Sequence, residues 1–509
     1  MINYVYELLI NEIGFKKDRI AFRNDEMIKT YAEMVSDVGE YSDKLKSLGI
    51  NRNSRIGIQL QNSYDFIKVF FSLQKIGCTV VLINYDSWEK NVLHISRDSQ
   101  LSYIISDSQN YVQDELVKLN LNCEDIENIQ LSNHQDYPDK LESSAISDDV
   151  ALIIYTSGTT GSSKGVILTH RNVISGTEIV STYLNIESQD CILGLLPFSF
   201  DYGLNQLLSA VFCGATIYVK YPVNIFQLPK IIQKEKITGV AGVPSIWINL
   251  LNLNYIRDYD FKHLKYITNS GGAIPSLILE QMADVFKYTK IYLMYGLTEC
   301  FRCSFLSPDM YMIKKGSLGK AIPGCEIMLL NEEGNKCKTG EVGQIVFRGP
   351  TVGKGYLNNE EATKKVYRDN PFNIIYRETV VYSGDYAYSD DEGYLYFAGR
   401  KDEQLKKNGY RFNTEELINE IYKCSSVLEC CIVARKNEMM EDDIYVFAKL
   451  ADNCEALEFE KSIYNELIND LPSYIKPQRV IVLDEIPKQY NSKYSYVELN
   501  KILDRILEK

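Results

Sequence analysis

Short apolar runs separated by helix-patterned stretches recur through the first half of the chain, and this alternation restricts its fold more than any other feature. Residues 55–60 read as a buried strand followed by a helix over 64–77. Further strands are expected at 79–83, 101–105, 150–155, 216–219 and 239–243. These runs are apolar at nearly every position, not at alternate ones, so both faces of each strand must be covered. Strands spaced by helices meet that demand through parallel-rich sheets with helices packed on both sides, and the expected class is α/β. From about Gly319 the pattern shortens into strands and turns, among them 326–330 and 343–348, which predicts a small β-barrel-like subdomain or mixed sheet. A basic, Gly-containing stretch at 401–411 then interrupts the pattern. A compact α/β segment follows, with a helix at 414–423 and a strand at 479–483. The expected organisation is a large N-terminal domain over 1–400 and a small C-terminal domain over 401–509.

The net charge of the 509 residues is 55 − 68 = −13, so a broadly basic surface for nucleic acid is not expected. Nowhere does a run of about 20 uncharged apolar residues occur. The N-terminus also lacks a basic segment followed by an apolar run, so neither membrane span nor leader is expected and a cytoplasmic location is read. Twelve cysteines without paired spacing suggest reduced thiols. Cys300 and Cys303 spell C-x-x-C, but no second pair stands at zinc-ribbon spacing.

The strongest chemical signal is the stretch 155–165, Tyr-Thr-Ser-Gly-Thr-Thr-Gly-Ser-Ser-Lys-Gly, directly after a buried strand. Gly158 and Gly161 let the backbone approach a ligand and turn its N–H groups toward anionic oxygens. Thr156, Ser157, Thr159 and Thr160 add hydroxyl donors, and Lys164 adds a point charge suited to phosphate. The spacing is not that of a Walker A loop, which places Ser or Thr directly after Gly-Lys. Composition alone leaves a flexible surface loop as the alternative.

This loop resembles the phosphate-binding signature of the adenylate-forming superfamily, which comprises acyl-CoA synthetases, nonribosomal peptide synthetase adenylation domains and luciferases. Further signatures follow in that family's order. Ser270-Gly271-Gly272-Ala273 and Met294-Tyr295-Gly296-Leu297-Thr298-Glu299 are similar to its adenine- and phosphate-facing segments. Asp385 and the segment ending at Arg400 are similar to its ribose-binding part, 401–416 to its hinge, and the stretch from Ile486 to Lys493 to the terminal motif that holds a catalytic lysine. The resemblance implies an ATP-dependent, AMP-forming ligase with Mg²⁺, whose small domain is mobile about Asp402.

The roles carried over agree with the chemistry of the residues. Asp385 is a carboxylate able to accept both hydrogen bonds of a ribose diol, and Arg400 reaches ribose or phosphate. Tyr295 offers a ring to adenine, Thr298 a hydroxyl to the α-phosphate, and Glu299 a hard oxygen to Mg²⁺. Lys493 is expected to stabilise charge on the α-phosphate and leaving pyrophosphate. The family's glycine just before this lysine is Ser492 here, and its following Asp-Arg pair is Ser495-Tyr496. That departure is the sole support for a non-catalytic nucleotide-binding relative. Gly409 would line the path of a phosphopantetheine thiol, borne by CoA or by a separate carrier protein.

Pro197-Phe198-Ser199-Phe200-Asp201-Tyr202-Gly203 occupies the position that opens the family's acyl pocket. Amino-acid-activating members carry Phe-Asp there, and the aspartate binds the substrate ammonium. Residue by residue, the pocket positions match Asp201, Tyr202, Asn205, Ala241, Thr268, Ser270, Met294, Arg302 and Cys303. Arg302 leaves two possibilities open, a second polar group on the substrate or a pairing with Asp201 itself. The leading expectation is a small carboxylic acid, an amino acid first, passed to a carrier protein. The alternative is an acyl-CoA synthetase for an aryl or short-chain acid.

Overall fold

The computed structural model describes residues 2–107, 111–130, 146–156, 163–373, 375–400, 405–407, 410–412, 414–424, 426–436, 442–451, 476–489 and 494–507. The strands expected from the apolar runs occur at Arg55–Gln59, Thr79–Leu82, Tyr103–Ser106, Val150–Thr156, Thr216–Tyr218 and Gly239–Gly242. The helix Tyr64–Ile76 begins where Ser63 accepts the Phe66 N–H, satisfying one of the amides that a first turn leaves unpaired.

One seven-stranded sheet has the order Gly355–Tyr356, Lys164–Thr169, Val150–Thr156, Thr79–Leu82, Arg55–Gln59, Tyr103–Ser106, Asn120–Asn122. It is parallel from Val150–Thr156 outward to Asn120–Asn122, and antiparallel at the hairpin of Val150–Thr156 with Lys164–Thr169. A larger sheet runs in parallel through Thr216–Tyr218, Cys191–Leu193, Gly239–Gly242, Tyr266–Asn269 and Lys290–Tyr295. Between the two, the helices Tyr64–Ile76, His170–Leu184 and Asp201–Cys213 contribute Phe66, Phe70, Val173, Tyr202 and Leu207 to one apolar cluster.

After Lys290–Tyr295 the larger sheet changes direction. The next strand, Ser304–Leu306, is reached through a single 3₁₀ turn, Thr298–Cys300. A parallel crossover needs a dozen or more residues, so this short link forces an antiparallel neighbour. The path continues antiparallel through Ser317–Ala321, Leu395–Arg400, Thr379–Ser389, Gly343–Arg348 and Glu326–Leu330. Among the described strands, Glu326–Leu330 pairs only with Gly343–Arg348. The expected barrel-like subdomain therefore takes the form of an open antiparallel sheet joined edge to edge to the parallel one.

The smaller C-terminal domain contains Val427–Lys436 antiparallel to Asp442–Leu450, with Arg479–Val482 parallel to the latter, and the helices Thr414–Ile421 and Tyr496–Leu507. Leu417 and Ile421 share an apolar cluster with Trp247 and Phe286 of the large domain, and the Ser276 N–H donates to Asn419 Oδ1 at 3.1 Å. Among the described residues no helix is long and apolar enough to cross a membrane.

His170, 1 % exposed, opens the helix His170–Leu184, and its Nδ1 accepts the Val5 N–H at 3.1 Å. Burial pushes its pKa down to about 4, with Asp149 opposing weakly. The folded pKa lies below the unfolded value near 6.5, so the native state prefers the neutral ring. Its contribution to stability is complete above pH 6.5 and is lost as pH falls toward 4. That contribution is on the order of 3 kcal/mol. Denaturant titrations at pH 7 and 4.5 should therefore show a smaller pH-dependent loss for His170→Gln than for wild type. Equal losses in the two proteins would refute this account.

Candidate active site

Gly239–Gly242, Tyr266–Asn269 and Lys290–Tyr295 end side by side, with Ala241 in register with Thr268 and Thr268 with Tyr292. In open parallel sheets ligands bind beyond the carboxyl ends of the strands, and Ala241, Thr268, Ser270, Met294 and Tyr295 lie at or just beyond these ends. Ser270 lies directly after one strand and is 5 % exposed, while Gly271, Gly272 and Ala273 form an exposed loop held by the Asn269 side chain, which donates to Gly272 O at 2.9 Å. Met294 and Tyr295 end the neighbouring strand, followed by Gly296 and the 3₁₀ turn carrying Thr298 and Glu299.

Two hydroxyl–carboxylate contacts organise the nucleotide side of this group. The Tyr295 hydroxyl donates to Asp385 Oδ2 at 2.5 Å. Burial and the adjoining carboxylate push the Tyr295 pKa well up, so the hydroxyl stays a donor. Asp385, 4 % exposed, stands opposite Arg400 in the pairing of Thr379–Ser389 with Leu395–Arg400. Glu299 Oε1 accepts from the Tyr356 hydroxyl at 2.5 Å, and Glu299 O accepts from Gly353 N at 2.9 Å and from the Tyr367 hydroxyl at 3.2 Å. Lys164 Nζ lies 5.5 Å from the Tyr356 ring centroid, which links the hairpin to the Glu299 turn. Thr156 and Lys164 are cross-strand partners at the mouth of that hairpin.

Tyr356 and Tyr367 are the residues that sequence reasoning missed. Their one local signal is Gly355-Tyr356, a two-residue strand pairing with Val166 and Ile167, and nothing in its pattern points to Glu299. Ser157, Gly158, Thr159, Thr160, Gly161, Asp402, Gly409 and Lys493 lie outside the described residues, as does the side chain of Arg400.

The acyl side is built from the first turns of Asp201–Cys213. Asp201, Tyr202 and Asn205 are 4 %, 2 % and 0 % exposed. The Tyr202 hydroxyl bonds Thr268 Oγ1 at 2.6 Å, fastening the helix to the strand end. Met294 Sδ accepts from the Tyr183 hydroxyl at 2.9 Å. Arg302 reaches this cluster because of a backbone irregularity. Phe301 adopts φ 56°, ψ −46°, and the Arg302 N–H donates to Cys300 O at 2.5 Å, a γ-turn of the uncommon positive-φ kind. Such a conformation costs on the order of 1–3 kcal/mol and persists only where packing holds it. Here Phe301 is fully buried against Gly176, where an added Cβ would lie 2.3 Å from its ring.

The turn sends Arg302 over the Tyr202 ring, 4.8 Å from its centroid, with Nη1 3.7 Å from Asp201 Oδ2 and donating to Phe301 O at 2.8 Å. Cys303 points elsewhere. Its sulfur lies 2.9 Å from that of Cys300, in an apolar cluster with Ile322, Phe347, Tyr367 and Val381. The structure thus links Asp201, Arg302, Tyr202 and Thr268 in a chain of successive contacts and places Cys303 in a neighbouring core.

A family model described as AMP-binding enzyme matches residues 13–357. The chain is 26 % identical over 498 residues to gramicidin S synthase 2 of Brevibacillus brevis, covering 96 % of this chain and 11 % of that protein. It thus spans about a tenth of the length of that relative. With the 2-succinylbenzoate–CoA ligase of Bacillus mycoides it shares 25 % identity, covering 96 % of this chain and 97 % of the other. Among solved structures, o-succinylbenzoate CoA synthetase from Bacillus subtilis with its acyl-adenylate aligns at TM-score 0.83 and 23 % identity, covering 97 % of each chain. An anthranilate CoA ligase in complex with anthranoyl-AMP aligns at TM-score 0.86 and 20 % identity, over 99 % of this chain and 98 % of that one.

Proposed function

The chain belongs to the AMP-binding enzyme family, and from this premise we propose that it activates a small carboxylic acid, an amino acid first, as an acyl-adenylate and passes the acyl group to a phosphopantetheine thiol. The observation that carries the reading is the Tyr202–Thr268 hydrogen bond beside Asp201, together with the Tyr295–Asp385 pair, at the ends of three adjacent parallel strands. In this reading a substrate carboxylate oxygen attacks the α-phosphorus of ATP, forming the acyl–phosphate bond as the bond to pyrophosphate breaks. A thiolate then attacks the acyl carbon and AMP leaves with the bonding pair.

The residues present fit the nucleotide and its metal. Asp385 is a buried carboxylate that accepts from the Tyr295 hydroxyl, suited to a ribose diol. Gly271, Gly272 and Ala273 form an exposed loop just beyond the strand Tyr266–Asn269, and Glu299 is a carboxylate steadied by Tyr356. Glu299 would hold Mg²⁺, which when bound neutralises phosphate charge. Thr298 would donate to the α-phosphate, and Thr156, Lys164 and the loop 157–161 would cradle the phosphates. Lys493 would stabilise the developing charge. The proposal includes a domain boundary near Arg400, a small domain over 401–509 turning about Asp402, and a thiol path past Gly409. A carrier protein is the proposed acceptor and the cytoplasm the proposed location.

The 3.7 Å approach of Arg302 to Asp201 favours a second reading, a CoA ligase for an amine-free acid in which Arg302 neutralises Asp201. ATP–pyrophosphate exchange against amino acids and amine-free acids separates the two. Exchange limited to amine-free acids would overturn the first reading. Asp385→Ala is expected to weaken ATP binding about 10- to 100-fold, since hydrogen bonds to a charged acceptor are the strong ones. Unchanged ATP affinity in calorimetry would remove Asp385 from the site.

A further inference from the structure

Arg302 is 2 % exposed, and its polar environment is incomplete on one side. Nη1 is engaged by Phe301 O and approaches Asp201, whereas Nε and Nη2 have no hydrogen-bond partner among the described residues. These two nitrogens lie along one edge of the guanidinium, the edge that grips a carboxylate through two parallel N–H···O bonds. Asn205 stands one helical turn after Asp201 on the same face, fully buried, and neither its Oδ1 nor its Nδ2 has a partner among the described residues. Buried donors in native proteins are nearly always satisfied, so these groups call for a partner that the described residues do not supply.

Charge restricts which ligand fits. Asp201 and Arg302 together are neutral, and both are withdrawn from solvent. A substrate bringing an ammonium alone would leave one uncompensated positive charge in the cluster, and one bringing a second carboxylate alone would leave a negative one. A buried unbalanced charge is strongly disfavoured. Neutrality is kept when the ligand brings both. It is also kept when the ligand brings neither and offers only a neutral acceptor.

Resting on the amino-acid reading above, we propose that the activated substrate is an amino acid whose side chain carries a second carboxylate, with its ammonium at Asp201 and that carboxylate on the Nε–Nη2 edge of Arg302. The Tyr202 ring under the guanidinium holds the edge in place, and the strained turn at Phe301 is what delivers the arginine to this depth. Arg302 is then a specificity residue. It sorts acids before any bond is made.

The test is ATP–pyrophosphate exchange by the full chain with aspartate and glutamate, alanine and valine, asparagine and glutamine, and the amine-free succinate and glutarate. Aspartate or glutamate is expected to lead by about 10²-fold in kcat/KM, the scale on which an unpaired buried charge is rejected. Arg302→Gln is expected to invert that preference toward asparagine, glutamine or alanine, and Arg302→Lys, which keeps the charge without the fork, to fall between. Exchange led by neutral amino acids in the wild-type protein would overturn this assignment while leaving the amino-acid reading standing. Exchange confined to amine-free acids would overturn both. An acidic preference that Arg302→Gln leaves intact would remove Arg302 from the role, and the wild-type panel stands whether or not the variants fold.

Discussion

Lys493→Ala is expected to lower acid-dependent ATP–pyrophosphate exchange by about 10²- to 10³-fold or more, the range seen when a preorganised electrostatic group is removed from a transition state. During adenylation, negative charge accumulates on the α-phosphate and the departing pyrophosphate, and a lysine touching both lowers the barrier without being consumed. The same substitution should leave thiol transfer from a supplied acyl-adenylate nearly unchanged, because pyrophosphate has already gone by that step. Measuring the two half-reactions separately therefore tells a catalytic lysine from a merely structural one. Exchange at the wild-type rate would remove Lys493 from the mechanism, whereas ATP binding with no exchange by the wild-type chain would favour a relative that binds nucleotide without turning it over.

Gly203→Ala is expected to destabilise the large domain by about 3 kcal/mol or more, at the upper end of what overpacking costs. A Cβ at Gly203 would lie 2.1 Å from Pro197 O and 2.6 Å from Leu196 O, both backbone atoms. The strand-to-helix segment cannot yield easily. Asn62 donates to Leu196 O at 2.7 Å and to Gly194 O at 3.2 Å, and its Oδ1 accepts the Phe198 N–H at 2.7 Å. The remaining escape is for the first turn of Asp201–Cys213 to move outward, which displaces Asp201, Tyr202 and Asn205 together. Urea denaturation should show the lost stability, and any protein that stays folded should lose substrate discrimination before it loses ATP binding. A midpoint equivalent to a loss below about 1 kcal/mol would mean that the segment is softer than its hydrogen bonds indicate.

Much of this architecture was legible in the order of residues. Buried strands such as Gly239–Gly242 announce themselves as continuous apolar runs because a strand covered on both faces tolerates little else. The Gly- and hydroxyl-rich loop, the Ser-Gly-Gly-Ala segment and the Phe-Asp pair are local motifs, so their resemblance to a family is visible without knowing what touches them. The shape of the segment after Gly319 was less legible. Short antiparallel strands have similar patterns whether they close into a barrel or extend a sheet, and the pairing of Glu326–Leu330, among the described strands with Gly343–Arg348 alone, is what distinguishes the second.

The contacts that give the candidate site its chemistry were not written in any one segment. Tyr356 meets Glu299 from 57 residues away and Tyr295 meets Asp385 from 90 residues away, through strand pairings that no single-residue pattern specifies. The reversal at Phe301 depends on the space left by Gly176 in another helix, and without it Arg302 would follow a different course. By itself the sequence determined the α/β class, the strand positions and the adenylate-forming resemblance, because burial and motif chemistry act over a few neighbouring residues. Only the tertiary structure decided that Arg302 stands 3.7 Å from Asp201 with one edge unpaired among the described residues, because register, crossover and packing set which distant side chains share a buried space.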